Sequence, residues 1–190
     1  MKEVFVKAKK VNGIGFIIIL PIAVLMIIPF FVKWGSHTKV SLKMIKSLLS
    51  VFDNKLIDSI ITIFAPVALI FIGIIIHELI HGVFMVIFSK DGMKSVKFGI
   101  TKQSFILYAH CKEPLLAKNM LIISLAPFVF LGLIPTIYAF VSGDLVVWFV
   151  GFSMTIGAVG DFIYAYLILK TGLGKMILDH DTEVGFKIMD

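Results

Sequence analysis

Three long stretches without a charged side chain constrain the fold of this chain most. None of them contains Asp, Glu, Lys or Arg, and they cover residues 11–32, 59–77 and 119–143. A helix needs roughly 20 apolar residues to cross the hydrocarbon core of a bilayer, and each stretch has about that length. The second continues past Glu78 to Phe88, and a fourth apolar run is interrupted only by Asp161. We therefore predict about four transmembrane helices, near residues 13–33, 60–88, 119–141 and 145–169.

The overall composition supports a membrane protein and excludes several other classes. Hydrophobic residues make up 59% of the 190 residues and charged residues only 16%, whereas soluble domains are usually near 45–50% and about 25%. A water-soluble globule, a disordered chain and a nucleic-acid-binding module are therefore excluded, despite a net charge of +6. We expect one integral membrane domain over residues 1–190, with the lipid bilayer as its surroundings and no nucleic acid as a partner.

The distribution of lysine predicts the orientation in the membrane. Four helices would place the N-terminus, the 89–118 segment and the C-terminal tail on one side, and these segments hold most of the lysines. Loops rich in Lys and Arg stay in the cytoplasm. We therefore expect a multi-pass protein of the cell membrane with both termini in the cytoplasm. All the basic residues are Lys and Ile is abundant, which favours a bacterial source.

Two connecting segments show patterns of their own. In 41–57, apolar residues recur at helical spacing with polar residues between them, which predicts either a helix in the membrane interface or a short connector helix packed on the bundle. In 95–111, the apolar residues Val96, Phe98 and Ile100 alternate with polar residues, and the polar stretch 101–104 separates them from the run Phe105 to His110. This pattern predicts a small cytoplasmic β-hairpin. The fold class expected from the sequence is thus an all-α membrane protein with one small hairpin.

The residues that carry chemistry lie in the second predicted helix, where His77-Glu78-Leu79-Ile80-His81 forms an H-E-x-x-H motif. Residues four apart lie on one face of a helix, so both imidazoles can reach one metal ion, with Glu78 beside them to act on a bound water. The alternative is a pair of structural histidines with Glu78 paired to one of them. Ionisable groups at membrane depth are costly and usually mark function, so we favour a Zn²⁺ site at His77 and His81.

A catalytic zinc ion usually has three protein ligands and a water, so one ligand is missing from this motif. Asp161 is the other acidic residue within a predicted span. His81 and Asp161 both lie nine residues before a lysine at the cytoplasmic end of their helix, at a depth of roughly 13 Å. This agreement predicts Asp161 as the third ligand. His110, Glu113 and His180 are weaker candidates, since they lie outside the spans and are expected to be solvated, as is the acidic tail that contains Asp179.

These motifs resemble those of a known family. The H-E-L-I-H-G sequence in a membrane helix, with a later intramembrane Asp, is similar to the site-2-protease type of intramembrane zinc metalloprotease. It resembles more closely a small bacterial family described as zincin peptidases. The further residues that carry this resemblance are Tyr108 to Leu115, Ala126-Pro127-Phe128 and Gly160-Asp161. The resemblance covers roughly residues 60–190 and implies a zinc metallopeptidase.

The leading functional hypothesis is a membrane-embedded metallopeptidase that hydrolyses peptide bonds near the cytoplasmic membrane surface. His77, His81 and Asp161 would hold Zn²⁺, and Glu78 would be the general base that takes a proton from the water. The substrate would be a membrane protein or a peptide. The alternative is a non-catalytic metal-binding membrane protein, such as a metal carrier or an immunity or interaction protein.

Overall fold

The fold is mostly helical, and the computed structural model describes residues 2–49, 54–100, 107–180 and 183–189. The six α-helices in this part of the chain are α1 (Ala8–Leu49), α2 (Lys55–Phe88), α3 (Ala117–Pro127), α4 (Ile134–Ser142), α5 (Leu145–Gly157) and α6 (Val159–Thr171). A π-helical segment, Phe128–Leu133, joins α3 to α4. This helical content agrees with the predicted spans, although several of the boundaries differ.

Three helical stretches are long and apolar enough to cross a membrane. They are Gly13–Thr38 within α1, the whole of α2, and Ala117–Ser142 from α3 to α4. The fourth predicted helix, 145–169, is divided into α5 and α6, which are bent by 47° and form a fourth candidate span only when taken together. The bend lies at Ala158, so Asp161 falls in the first turn of α6. There the unpaired N–H groups and the helix dipole favour a carboxylate.

The separate helix predicted over 41–57 is wrong within the described residues. Residues 41–49 are the last turns of α1, and residues 50–53 lie outside the part that the structure describes. α2 begins at Lys55 because the side chain of Asn54 accepts hydrogen bonds from the N–H groups of Leu56 and Ile57. An Asn at this position satisfies N–H groups that have no partner within the helix, and therefore marks a helix start.

The predicted hairpin is confirmed. Strands β2 (Val96–Ile100) and β3 (Leu107–Cys111) pair antiparallel, with Val96 opposite Cys111 and Ile100 opposite Leu107. The polar stretch at 101–104 lies outside the described residues. This hairpin follows α2 after a 3-10 turn, Gly92–Ser95, and packs back against α2.

A second, four-stranded sheet contradicts the all-α expectation. Its strands are β1 (Lys2–Val6), β4 (Leu115–Leu116), β5 (Met176–Asp179) and β6 (Val184–Met189), in the spatial order β1-β6-β5-β4. These strands are short and come from three distant parts of the chain, so local periodicity gives little sign of them. The sheet holds both ends of the chain beside the start of α3, and the predicted solvated tail is in fact part of it.

Buried apolar side chains fasten this sheet to the helices. Ile177 on β5 and Phe186 on β6 are fully buried, and they pack with Met120 of α3 and Ile168 of α6. A smaller aromatic cluster lies elsewhere in the bundle, where Phe30 of α1 stacks on Trp148 of α5 at 4.8 Å between ring centroids. The contacts of the sheet therefore fix α3 and α6, the helices that contribute to the site described below.

Replacing Gly185 tests the pairing of β1 with β6. A Cβ atom at Gly185 would overlap the carbonyl oxygen of Val4 and the Cα atom of Phe5. We expect Gly185→Ala to lower the free energy of unfolding by about 1–3 kcal/mol, the usual cost of overpacking. The measurement is thermal unfolding of the full chain in detergent.

Gly174→Ala is the matched control, because a Cβ atom there meets nothing within 4 Å. It should change the stability by no more than about 0.5 kcal/mol. Equal stability of the two variants would contradict the β1–β6 pairing.

Candidate metal centre

The H-E-x-x-H residues form a compact cluster on α2. The ligand atoms of His77, Glu78 and His81 all lie within 4.8 Å of one another. The two imidazole rings are 4.9 Å apart between centroids and meet edge to face. Their side chains are only 12% and 10% exposed, so water solvates them poorly. This is the one cluster of its kind among the described residues, and it has the composition of a metal site.

Asp161 reaches both histidines from α6. Its Oδ2 atom lies 3.1 Å from Nε2 of His77, and its Oδ1 atom lies 3.3 Å from Nε2 of His81. The carboxylate side chain is 19% exposed. The structure thus brings together the three residues that the sequence proposes as ligands, from two helices 80 residues apart. Their role as ligands remains a prediction.

A backbone contact determines which nitrogen of His81 faces Asp161. The Nδ1 atom of His81 lies 2.9 Å from the carbonyl oxygen of Ile123 on α3. A carbonyl only accepts, so Nδ1 must carry the proton, and the neutral ring presents the lone pair of Nε2 to the carboxylate. Two lone-pair atoms 3.3 Å apart repel each other unless a proton or a cation lies between them. Metal-binding histidines typically have this arrangement, with the second nitrogen donating to a carbonyl.

The carboxylate of Asp161 gives a second reason to place a cation here. Its Oδ2 atom is buried, and no hydrogen bond to it is found in the part of the chain that the structure describes, although Nε2 of His77 lies 3.1 Å away. A neutral imidazole that turns a lone pair toward this oxygen does not satisfy it, whereas a cation between the two atoms would. Two imidazole nitrogens and a carboxylate oxygen match the usual protein ligands of catalytic zinc, which leaves one position open. The residues present therefore fit a zinc ion.

The hairpin supplies the surroundings of Glu78. The backbone N–H of Ala109 on β3 faces the carboxylate of Glu78. On the same strand, the N–H of Cys111 points to Asp179 at 3.4 Å. Alternate N–H groups of an antiparallel strand point to the same side. The edge of β3 that faces away from β2 is therefore the edge beside Glu78.

Gly82, directly after the motif, allows the hairpin to approach α2. A Cβ atom at Gly82 would overlap the ring of Phe98 on β2, the residue that pairs with Ala109. A glycine at this position of α2 therefore leaves room for the Phe98 ring, which brings the paired strand β3 up to Glu78. Sequence reasoning missed the contributions of Ala109 and Ile123, because each acts through its backbone, which the residue type does not reveal.

The weaker ligand candidates are engaged elsewhere. Glu113 accepts hydrogen bonds from Ser95 and from the N–H groups of Lys90 and Asp91, and these contacts lower the pKa of its carboxyl group. Glu113 thus joins the base of the hairpin to the end of α2, rather than being simply solvated. The Nδ1 atom of His110 lies 3.4 Å from Asp179.

His180, the third of these candidates, lies on the C-terminal side of β5. Its Nδ1 atom accepts a hydrogen bond from the N–H of Glu183, and its Nε2 atom lies 3.9 Å from the carboxylate of Glu3. None of the three candidates belongs to the cluster formed by His77, Glu78 and His81 in the described structure.

Comparison with known proteins agrees with the site. Residues 70–174, more than half of the chain, match the model of a family described as "Putative zincin peptidase". The chain belongs to this family. The match includes the part of α2 that carries the H-E-x-x-H motif, the hairpin, and Asp161, and it ends before β5. No curated protein and no solved structure matches the chain. The zincin family implies zinc, the ion that the ligand set fits.

Replacing the predicted ligands tests the metal site. We expect His77→Ala and His81→Ala each to abolish stoichiometric zinc, because two remaining ligands do not hold the ion against water. Asp161→Asn should weaken zinc binding, since it removes the charge and leaves a poorer ligand. The measurement is the zinc content per chain of protein purified in detergent, before and after dialysis against a weak chelator.

His180→Ala is the matched control, because it removes an imidazole outside the cluster, and it should leave the zinc content unchanged. One zinc ion per chain in both motif variants would contradict the assignment. Unchanged zinc affinity of Asp161→Asn would exclude Asp161 as the third ligand.

Proposed function

We propose that this member of the zincin family is a zinc metallopeptidase whose centre lies within the membrane-spanning bundle. The observation that carries the proposal is the position of Asp161, which reaches the Nε2 atoms of both motif histidines from a different helix. The partly unsatisfied carboxylate supports a cation at this point, as does the carbonyl contact that orients His81. Glu78 beside these ligands supports hydrolysis, because a site that only binds metal needs no base there.

Each residue of the centre has a distinct task in this proposal. His77, His81 and Asp161 hold the ion, and the carbonyl of Ile123 keeps Nε2 of His81 available as a ligand. Bound zinc would polarise the scissile carbonyl and lower the pKa of a water from 15.7 toward about 7. Glu78 accepts the proton of the attacking water and then passes it to the leaving amine. The N–H of Ala109 orients the Glu78 carboxylate for this transfer.

The edge of β3 provides a way to present the substrate. A helical substrate hides its carbonyl groups in its own hydrogen bonds, so the peptide must be extended at the site. The outward edge of β3 lies beside Glu78, and an extended peptide can pair with such an edge as an additional strand. We propose that a membrane protein or a peptide is bound in this way, with its scissile bond close to Glu78.

Strand pairing supports four membrane crossings. β1 pairs with β6 and β4 pairs with β5, so the N-terminus, the start of α3 and the C-terminus lie at one end of the molecule. α1 and α2 take the chain across and back, and the stretch from α3 to α4 takes it across again. The chain must then return through α5 and α6 to reach β5. With the lysine distribution, this favours a multi-pass bacterial membrane protein whose termini are cytoplasmic.

Replacing Glu78 distinguishes a peptidase from a metal carrier. Glu78→Gln keeps the shape of the side chain and removes the base, so the zinc content should persist. Peptide-bond cleavage should fall by at least ~10²–10⁴-fold, the usual contribution of general acid–base catalysis. The measurement combines zinc content with cleavage of a co-purified membrane-protein substrate in detergent. Equal cleavage by the wild type and the variant would rule out the catalytic role of Glu78.

Reporter fusions test the orientation. Fusions after Lys10, near Lys102 and at Asp190 should all report the cytoplasm, and a fusion near Ser142 should report the outside. The reason is that four crossings place the sheet and the hairpin on the lysine-rich side. An external signal near Lys102 would reverse the orientation and place the catalytic centre near the opposite membrane surface.

A further inference from the structure

We infer that Asp179, which lies on β5 beyond the residues that match the family, is a positioning residue for the catalytic centre. Its carboxylate joins the edge of β3 that faces Glu78 to the helix that carries Asp161. This inference rests on the proposed peptidase function and deepens it, because it gives the C-terminal sheet a part in catalysis.

The carboxylate of Asp179 has partners on two different elements. Its Oδ1 atom accepts a hydrogen bond from the hydroxyl of Tyr164 on α6 at 3.1 Å. Its Oδ2 atom accepts the N–H of Cys111 on β3 at 3.4 Å and lies 3.4 Å from Nδ1 of His110. The side chain is 16% exposed, so these contacts are poorly screened by water. Bonds to an ionised acceptor are stronger than those between neutral groups.

The contact with Tyr164 bears on the third zinc ligand. Tyr164 follows Asp161 by three residues on α6, so the two side chains lie on one helical face, one turn apart. Tyr164 also packs against Phe186 of β6, with 5.7 Å between the ring centroids. A hydrogen bond from Tyr164 to Asp179 therefore limits rotation of α6 about its axis, and this rotation would move Asp161 relative to His77 and His81.

The contact with Cys111 bears on the catalytic base. Cys111 and Ala109 direct their N–H groups to the same edge of β3, toward Asp179 and Glu78 respectively. The hydrogen bond to Asp179 holds Cys111 in place, and it therefore fixes the position of the N–H of Ala109 relative to the carboxylate of Glu78. The N–H of Cys111 is then directed to Asp179 and that of Ala109 to Glu78, so an added peptide strand would pair with the N–H of Leu107 and with the carbonyl groups of Leu107 and Ala109.

Asp179 is itself held firmly enough to serve as an anchor. It pairs with the fully buried Phe186 on β6, and β5 lies between β4 and β6 in the sheet. Ile177, two residues earlier on β5, is also fully buried. Asp179 is thus part of a packed sheet, and its hydrogen bonds restrain both β3 and α6 relative to that sheet.

The experiment compares three variants with a matched control. Asp179→Ala removes the acceptor and the charge, Asp179→Asn removes the charge and keeps an acceptor, and Tyr164→Phe removes only the bond to α6. The control is Asp144→Ala, which deletes a carboxylate that also accepts two hydrogen bonds, at the start of α5. It therefore reports the effect of general destabilisation.

Three properties are measured on the full chain in detergent: zinc per chain, kcat and KM for cleavage, and the rate at which a thiol reagent labels Cys111. Cys111 is the single cysteine and is buried, so its labelling reports the opening of β3. Burial raises the pKa of its thiol, and the charge of Asp179 raises it further. Both Asp179→Ala and Asp179→Asn remove this charge and change the pKa of the thiol in the same direction. A difference in labelling rate between the two variants therefore reports the opening of β3 rather than the change in pKa.

We expect Asp179→Ala to keep one zinc ion per chain and to lower kcat by about 10- to 100-fold, since a displacement near 1 Å at a reacting group has an effect of that order. Asp179→Asn should recover much of kcat, and Tyr164→Phe should lower it less than Asp179→Ala. Cys111 should be labelled at least several-fold faster in the Ala variant than in the Asn variant. Asp144→Ala should change neither kcat nor labelling by more than about twofold, because its carboxylate accepts from the N–H groups of Val146 and Val147 within its own helix.

Two outcomes overturn the inference about Asp179 alone. One is equal labelling of Cys111 in the Ala and Asn variants, and the other is unchanged kcat of Asp179→Ala while Glu78→Gln is inactive. A wild-type protein that holds zinc but cleaves no substrate contradicts the proposed function, and with it this inference. The activity of the wild type thus distinguishes the two failures.

Discussion

The structure depends on the contact between one carboxylate and two imidazoles that are largely shielded from water. Charged and ionisable side chains within a bilayer typically cost about 2.5–3.5 kcal/mol each on insertion scales, and they are retained when they pair or bind a functional ion. Asp161 reaches His77 and His81 at 3.1 and 3.3 Å. Because Nδ1 of His81 is occupied by the carbonyl of Ile123, Nε2 of the neutral ring and the carboxylate repel each other, and a proton or a cation between them removes this repulsion.

Several features of the fold serve this contact. The bend at Ala158 places Asp161 in the first turn of α6, where a carboxylate is favoured. Gly82 leaves room for Phe98, so the hairpin closes over the motif and the edge of β3 reaches Glu78. The four-stranded sheet anchors α3 and α6 through its buried side chains. Helices from the apolar bundle and strands from distant parts of the chain therefore meet at one centre.

The sequence predicts the parts of this arrangement that depend on residue type and local spacing. The apolar runs predict the spanning helices, the alternation predicts the hairpin, and the depth of Asp161 predicts its contact with His81. The four-stranded sheet is not predictable in this way, because β1 and β6 are short and pair across the whole chain. The backbone of Ile123 is equally hidden, since any residue could supply that carbonyl. The role of Asp179 depends on the missed sheet.

The central claim is that His77, His81 and Asp161 bind one zinc ion with an open position. Zinc K-edge X-ray absorption of the purified protein, loaded with one equivalent of zinc, tests it most directly. The account predicts two imidazole nitrogens at about 2.0–2.1 Å with the remaining ligands oxygen, and loss of one oxygen contribution or of the ion itself in Asp161→Asn. A sulfur ligand near 2.3 Å, which Cys111 alone could supply among cysteines, or a third imidazole would contradict the account.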